Sequence, residues 1–157
     1  MSDIHRAVEA EIPCLRRYAR KLARDNAAAE DLLQECLVRG LGKQHLWREG
    51  TNMRAWLCTI LHNQYVNETR RSVREGITVE LSKLEEPLAQ APTQDKGLEL
   101  RDLSSAMKTL SAAQREAIIL VGIEGLEYAQ VALATGVPVG TVRSRLARGR
   151  HRLRIAA

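Results

Sequence analysis

"LEYAQVALATGVPVGTVRSRLARGRHRLR", Leu126 to Arg154, joins a turn to a helix loaded with arginine. Gly136, Pro138 and Gly140 punctuate its middle, and no acid follows Glu127. Counted from Tyr128, Ala132 stands where two helices of a helix-turn-helix would cross closely, a place that demands a small side chain. Gly136 falls in the turn, where a positive φ comes easily to glycine. Val142 then points into the core between the two helices. Small, glycine, branched apolar at this spacing predicts a helix-turn-helix unit.

The second helix of that unit has two chemistries. Val139, Val142, Leu146, Gly149 and Leu153 recur at close to heptad spacing and are expected to pack. Arg143, Ser144, Arg148 and Arg150 lie away from that side. A recognition helix is built this way, with an apolar back and donors facing the major groove and its phosphates. A guanidinium can hold guanine O6 and N7 with two bonds, worth about 1–3 kcal/mol of discrimination. A merely solvated basic face is the competing reading, disfavoured by the turn pattern in front of it.

Working outward, the 157 residues fit one medium domain or two small ones. Hydrophobic residues make up 45%, aromatic residues only 3%, and Phe is absent, so Leu, Ile, Val and Ala must do the packing. That composition suits helix on helix. The net charge of +5 favours an anionic partner weakly; its clustering near the end of the chain says more. No apolar run approaches the roughly 18 residues that span a membrane, and no signal peptide opens the chain, so a cytoplasmic location is expected. Cys14, Cys36 and Cys58 are too widely spaced for a CxxC metal pair and read as reduced, packed thiols. His5, His45, His62 and His151 are scattered without metal-ligand spacing. No cofactor or metal is expected. An enzyme is disfavoured because no nucleophile–base pair and no phosphate-binding glycine loop are visible.

Three zones divide the chain. Residues up to about Arg74 read as helices, with breaks near Asp25-Asn26 and between Gly42 and Asn52. From about Glu75 to Leu100 the sequence turns acidic, holds Pro87 and Pro92, and loses any sustained apolar period. It reads as a flexible linker with a short helical turn around Leu81 to Leu84. From Arg101 the pattern is helical again, with Ser111 placed to cap "AAQREAIILVGIEG".

In the first zone Asn26 is expected to cap a helix with Leu33, Cys36, Leu37 and Gly40 on its core side. Asp31, Gln34, Glu35 and Val38 form an outer stripe that reads equally as a solvated face or a docking surface. Thr51 or Asn52 then caps a long helix whose apolar face is Trp56, Leu57, Ile60 and Leu61. Along one stripe of this helix, Ile60 gives way to Asn63 and Asn67, then to Arg70 or Arg71 and Arg74. Amides read base edges and guanidinium groups hold phosphates. Taken alone, a helix emerging from its core explains that stripe as well.

Together these segments resemble the extracytoplasmic-function (ECF) group of the sigma-70 family. "AEDLLQECLVRG" resembles the polymerase-binding segment, usually A-E-D-L-x-Q-E. "MRAWLCTILHNQYVNETRR" resembles the segment that grips the −10 promoter element, with its W-L-x-x-I-x-x-N core, and "PVGTVRSR" is similar to the segment that reads the −35 element. "PCLRRYARKLARD" resembles the first helix of many such factors. The resemblance implies an all-α chain: a region 2 helical bundle at 1–75, a linker at 76–100, and a region 4 helix-turn-helix at 101–157.

It implies partners and sites as well. Asp31, Gln34 and Glu35 match the motif that docks on the β′ subunit of core RNA polymerase, with the linker threading past the active centre that β and β′ form. Trp47, Thr51 and Asn52 match the loop around a flipped base of the −10 non-template strand. Asn63 matches the position that recognises that base, with Asn67, Arg70, Arg71 and Arg74 continuing along the same helix. Thr141, Arg143, Ser144, Arg145, Ala147, Arg148 and Arg150 match the −35 contact region. An anti-sigma factor commonly covers these surfaces and is the expected route to any membrane contact. Glu127, where the family usually has a Ser or Thr cap, Trp47 in place of a common Phe, and the small Ala147 depart from the usual pattern. They bear on which promoter is read. With so few aromatic rings to stack on unpaired bases, opening is expected only at close matches to the chain's own promoter.

Two other binding functions remain from the residues alone. A sigma-like decoy would bind an anti-sigma factor but should lose the DNA-reading residues, which this chain keeps. A helix-turn-helix repressor would need no acidic first domain and usually brings a dimerisation element, which is not found here.

Overall fold

The computed structural model describes residues 2–76, 102–103 and 105–156. The described residues are helical with no strand, and the chain divides into two compact units. The linker expected at 76–100 and its helical turn at Leu81 to Leu84 lie outside the described residues, apart from Gly76.

The first unit holds α1 (Asp3–Leu22), α2 (Asn26–Gly42) and α3 (Met53–Arg74). Asp3 in the first turn of α1, and Arg20 and Lys21 in its last, complement the helix dipole. Pro13 lies inside α1 on its exposed side, where the missing N–H removes one intrahelical bond without disturbing the buried face. Arg16 pairs with Glu30 at 2.8 Å across α1 and α2. Arg54 Nε donates to Glu11 at 2.6 Å, and the Tyr18 hydroxyl and His62 Nδ1 share a hydrogen bond at 3.2 Å. These two pairs advance together along both chains, so α1 and α3 run parallel and α2 runs against them. Leu15, Tyr18, Leu33, Cys36, Leu57, Cys58 and Leu61 form the centre of the core. Each large apolar side chain buried there is worth about 1.5–3 kcal/mol. At Gly40 α2 meets α3 closely: a Cβ there would lie 2.9 Å from Leu57 Cδ2.

Two expectations for α2 are corrected. The cap is Asp25, whose Oδ1 accepts from the Ala28 amide at 2.7 Å, and Asn26 is already the first helical residue. Leu37 is only half-buried, while Leu32 and Ala29 complete the core face. For α3 the choice between Thr51 and Asn52 falls to Asn52, whose Oδ1 accepts from the Ala55 amide at 3.1 Å. A short 3-10 turn, Gln44–Leu46, occupies the break between α2 and α3.

Beyond the first three helices the chain forms α4 (Ala112–Ile118), α5 (Tyr128–Thr135) and α6 (Val139–Ala156), with a helical segment at 105–108 before them. Ser111 caps α4 in a reciprocal capping box with Gln114. A π-helical stretch, Ile119–Ile123, continues α4 and buries Ile119 and Leu120. Arg115 donates to the carbonyls of Met107 and Leu110 and ties the 105–108 segment to α4. α5 begins just after Glu127, whose amide is accepted by Gln130 Oε1 at 2.9 Å, half of a capping box without a Ser or Thr. Gly136 takes φ +71° and the Val137 amide returns to the Ala132 carbonyl, which closes α5 as a Schellman turn. Pro138 then offers its carbonyl to the Thr141 and Val142 amides and starts α6. Val131, Ala134, Val142 and Leu146 are buried, and Ala132 is buried as its spacing predicts. Gly149 lets α6 lie against α4, since a Cβ there would sit 2.6 Å from Ile118 Cδ1. Val139 departs from the expected packed side and is 37% exposed at the first residue of α6, whereas Val142, one turn later, is buried.

Candidate nucleic-acid interface

Three surfaces carry the residues singled out by sequence. On α6, Arg143, Ser144, Ala147, Arg148 and Arg150 are exposed, and Thr141 and Arg145 are half-buried at the edge of the packed side. The 3.6-residue period places Gly140, Ser144, Ala147 and His151 along the midline of the exposed face. Arg143, Arg150 and Arg154 flank this line on one side; Thr141 and Arg148 flank it on the other. A midline of mostly small residues, with three arginines on one flank and Arg148 on the other, offers donors to phosphates on both sides of a groove. The Ser144 hydroxyl donates to the Gly140 carbonyl at 3.0 Å and keeps oxygen lone pairs for a further bond. The Arg143 guanidinium lies over the Tyr128 ring, 6.0 Å from its centroid.

On α3, Asn63, Asn67, Arg70, Arg71 and Arg74 are all exposed. Arg71 Nε donates to Glu75 at 3.0 Å, and this bond and charge push the already high Arg71 pKa further up. Arg74 Nε donates to the Arg70 carbonyl at 3.4 Å. The loop before α3 is held by its own side chains. The Thr51 hydroxyl donates to the Arg48 carbonyl at 2.6 Å, and Asn52 is spent partly on capping. Trp47 is half-buried, and its Nε1 is buried without a partner among the described residues.

On α2, Asp31 and Gln34 are exposed, Glu35 is half-buried and Val38 is 70% exposed. Glu35 accepts from Arg39 at 2.5 Å, so part of the stripe's negative charge is already matched. Among the described residues, no group of three or more His, Cys, Asp or Glu could hold a metal, and no helix is long and apolar enough to cross a membrane.

Residues 8–62 match the family described as the Sigma2 domain of PhyR, and residues 100–153 match Sigma-70, region 4. The chain is 38% identical to the ECF RNA polymerase sigma factor EcfG of Rhodopseudomonas palustris, over 92% of this chain and 79% of that one. The chain belongs to the ECF sigma factors. It is also 33% identical to the ECF sigma factor SigC of Mycobacterium tuberculosis, over 82% of this chain and 70% of that one. Among solved structures it is similar to the sigma factor RpoE from Bartonella quintana, determined in complex with the anti-sigma factor NepR. The TM-score is 0.82 at 36% identity, covering 99% of this chain and 97% of that one. The anti-anti-sigma factor PhyR shares the fold at 12% identity and TM-score 0.57, and the chain covers 49% of that protein.

In this sigma factor the sequence left two features of the surfaces unread. Tyr128 stands before the turn, fifteen residues ahead of the arginine that it meets, so no helical period links them. The Arg39–Glu35 pair was open to view as an i,i+4 spacing of opposite charges.

Proposed function

We propose that this ECF sigma factor binds core RNA polymerase through its β′ and β subunits and directs initiation at a two-part promoter. Residues 1–75 hold polymerase and the −10 strand; residues 101–157 read the −35 duplex. The observation that carries the reading is the exposed face of α6, where Arg143, Arg148 and Arg150 surround a midline of small residues. Asn63 and Asn67 on α3 offer amides to unpaired bases, and Arg70 and Arg74 offer charge to the strand beyond them. Trp47, Thr51 and Asn52 frame the pocket for a flipped base. Asp31 and Gln34, with Val38 beside them, form the polymerase-docking stripe. Glu35 shares that role with its partner Arg39. The chain acts in the cytoplasm by binding, without catalysis.

An anti-sigma factor is the proposed negative regulator. The Bartonella sigma factor that this chain resembles along nearly all of its length was solved with NepR bound. A protein of that kind would cover the surfaces named here.

The test mixes the chain with core polymerase and a library of promoter fragments, and sequences the transcripts. The expected result is a set of starts sharing a −35 and a −10 motif. A decoy, the reading favoured by the match of residues 8–62 to a PhyR domain, gives no starts. A repressor gives binding without starts. Strong opening at degraded −10 sequences would contradict the role given to the scarce aromatic rings.

A further inference from the structure

The arginines of this sigma factor are held in two different ways. Arg71 and Arg39 meet carboxylates edge-on, and those N–H groups are thereby engaged. Arg143 instead lies over an aromatic ring. Its guanidinium carbon lies 6.0 Å from the centroid of the Tyr128 ring, and it forms no ion pair among the described residues. A guanidinium stacked on a ring keeps its N–H donors at the edge, free for a planar acceptor pair. The backbone that carries the ring is held in place. Tyr128 opens α5, which is fixed by buried Val131 and Ala134 and by the turn at Gly136. Arg143 lies in the first turns of α6, the part of a recognition helix that meets base edges. A free arginine side chain has rotamer freedom to lose on binding; one resting on a fixed ring has lost part of it beforehand.

We propose that Tyr128 is a positioning residue for promoter recognition, presenting the edge of Arg143 to a base pair of the −35 duplex. This rests on the reading that α6 binds the −35 element. Tyr128 belongs to the first helix of the unit, so specificity at that base pair is set by both helices. The base pair carries the acceptor pair of guanine, O6 and N7, which a planar fork fits.

The test compares wild type, Tyr128→Leu, Tyr128→Phe, Arg143→Ala and the Tyr128→Leu/Arg143→Ala double variant. Each full chain is assembled with core polymerase on a library randomised across the −35 element, and base preference is read from transcripts position by position. Arg143→Ala should flatten preference at one site. Tyr128→Leu should reduce preference at that same site by about two- to fivefold, the size of an exposed cation–π contact. Tyr128→Phe should retain it, and the double variant should match Arg143→Ala. Equal loss at every position, loss at a different site, or Phe behaving as Leu would overturn the proposal.

A second arm needs no DNA. In the free chain the Arg143 δ-protons should show an upfield ring-current NMR shift that persists in Tyr128→Phe and vanishes in Tyr128→Leu. Its absence in wild type overturns the proposal whatever the promoter assay gives. A wild-type chain that starts no transcripts sinks the promoter reading and this role with it. Normal −35 selection by Tyr128→Leu removes this role alone.

Discussion

Arg152 Nη1 donates to the carbonyl oxygen of Thr109 at 2.9 Å, so this arginine of α6 serves the fold. It joins the last turns of α6 to the segment before α4. The basic run of α6 therefore divides by contact: Arg152 on a carbonyl, Arg143 on a ring, Arg148 and Arg150 exposed.

Arg152, Arg148 and Arg150 should separate under alanine substitution. Arg152→Ala should lower the melting temperature by the equivalent of about 0.5–1.5 kcal/mol and leave −35 base preference unchanged. Arg148→Ala should relax preference within the −35 element. Arg150→Ala should weaken all sequences alike and reduce the salt slope by about one unit. Thermal melts and transcription from a −35 library at several salt concentrations distinguish the patterns. Identical behaviour of Arg148→Ala and Arg150→Ala would refute the division of roles on the exposed face.

All three thiols are buried, and burial pushes Cys36 up to about 12. Its Sγ donates to the Leu57 carbonyl at 3.5 Å, a bond available only to the protonated form. A thiol whose pKa is raised by folding contributes its full stabilisation below the unfolded value, and that is lost as pH rises toward the folded one. Between pH 9 and about 11, wild type should lose stability faster than Cys36→Ala, approaching about 1.4 kcal/mol per pH unit. Urea melts across that range check the sign. At neutral pH a thiol reagent should label the native chain only as fast as it opens.

Gln64 is 3% exposed, and neither polar atom of its amide has a partner among the described residues. Burying such a group costs about 1–3 kcal/mol. Gln64→Met keeps length and shape while removing both polar atoms. The substitution should raise the urea midpoint with an unchanged m-value. A lowered midpoint would mean that the amide is satisfied in solution.

Asp31 is exposed and forms no ion pair among the described residues, unlike Glu35 on the same stripe. Asp31→Lys should leave the fold within about 0.5 kcal/mol of wild type. It should weaken assembly with core polymerase, most clearly at low salt where surface charges act furthest. Anisotropy of labelled chain titrated with core polymerase measures this. Wild-type affinity for Asp31→Lys would reduce the stripe to a solvated face.

Much of this protein follows from local rules that act along the chain. Helical period, the Ala132–Gly136–Val142 spacing and the Ser111 cap each depend on a few neighbouring residues, and each is found as the sequence implies. Two misreadings have equally local causes. Asp25 and Asn26 are near-equal cap formers, so only the path of the chain out of α1 selects between them. Val139 continues an apolar spacing, but it opens α6 and stays 37% exposed there.

What tertiary structure alone decided is which polar groups are already engaged. The fate of an arginine depends on what a distant segment brings within a few ångströms: Thr109 for Arg152, Tyr128 for Arg143. Gln64 shares the helical period of Leu57 and Leu61, but only the folded packing decides that its buried amide meets no partner among the described residues. Partnership arises from contacts far apart in the chain, and no periodicity along α3 or α6 encodes it.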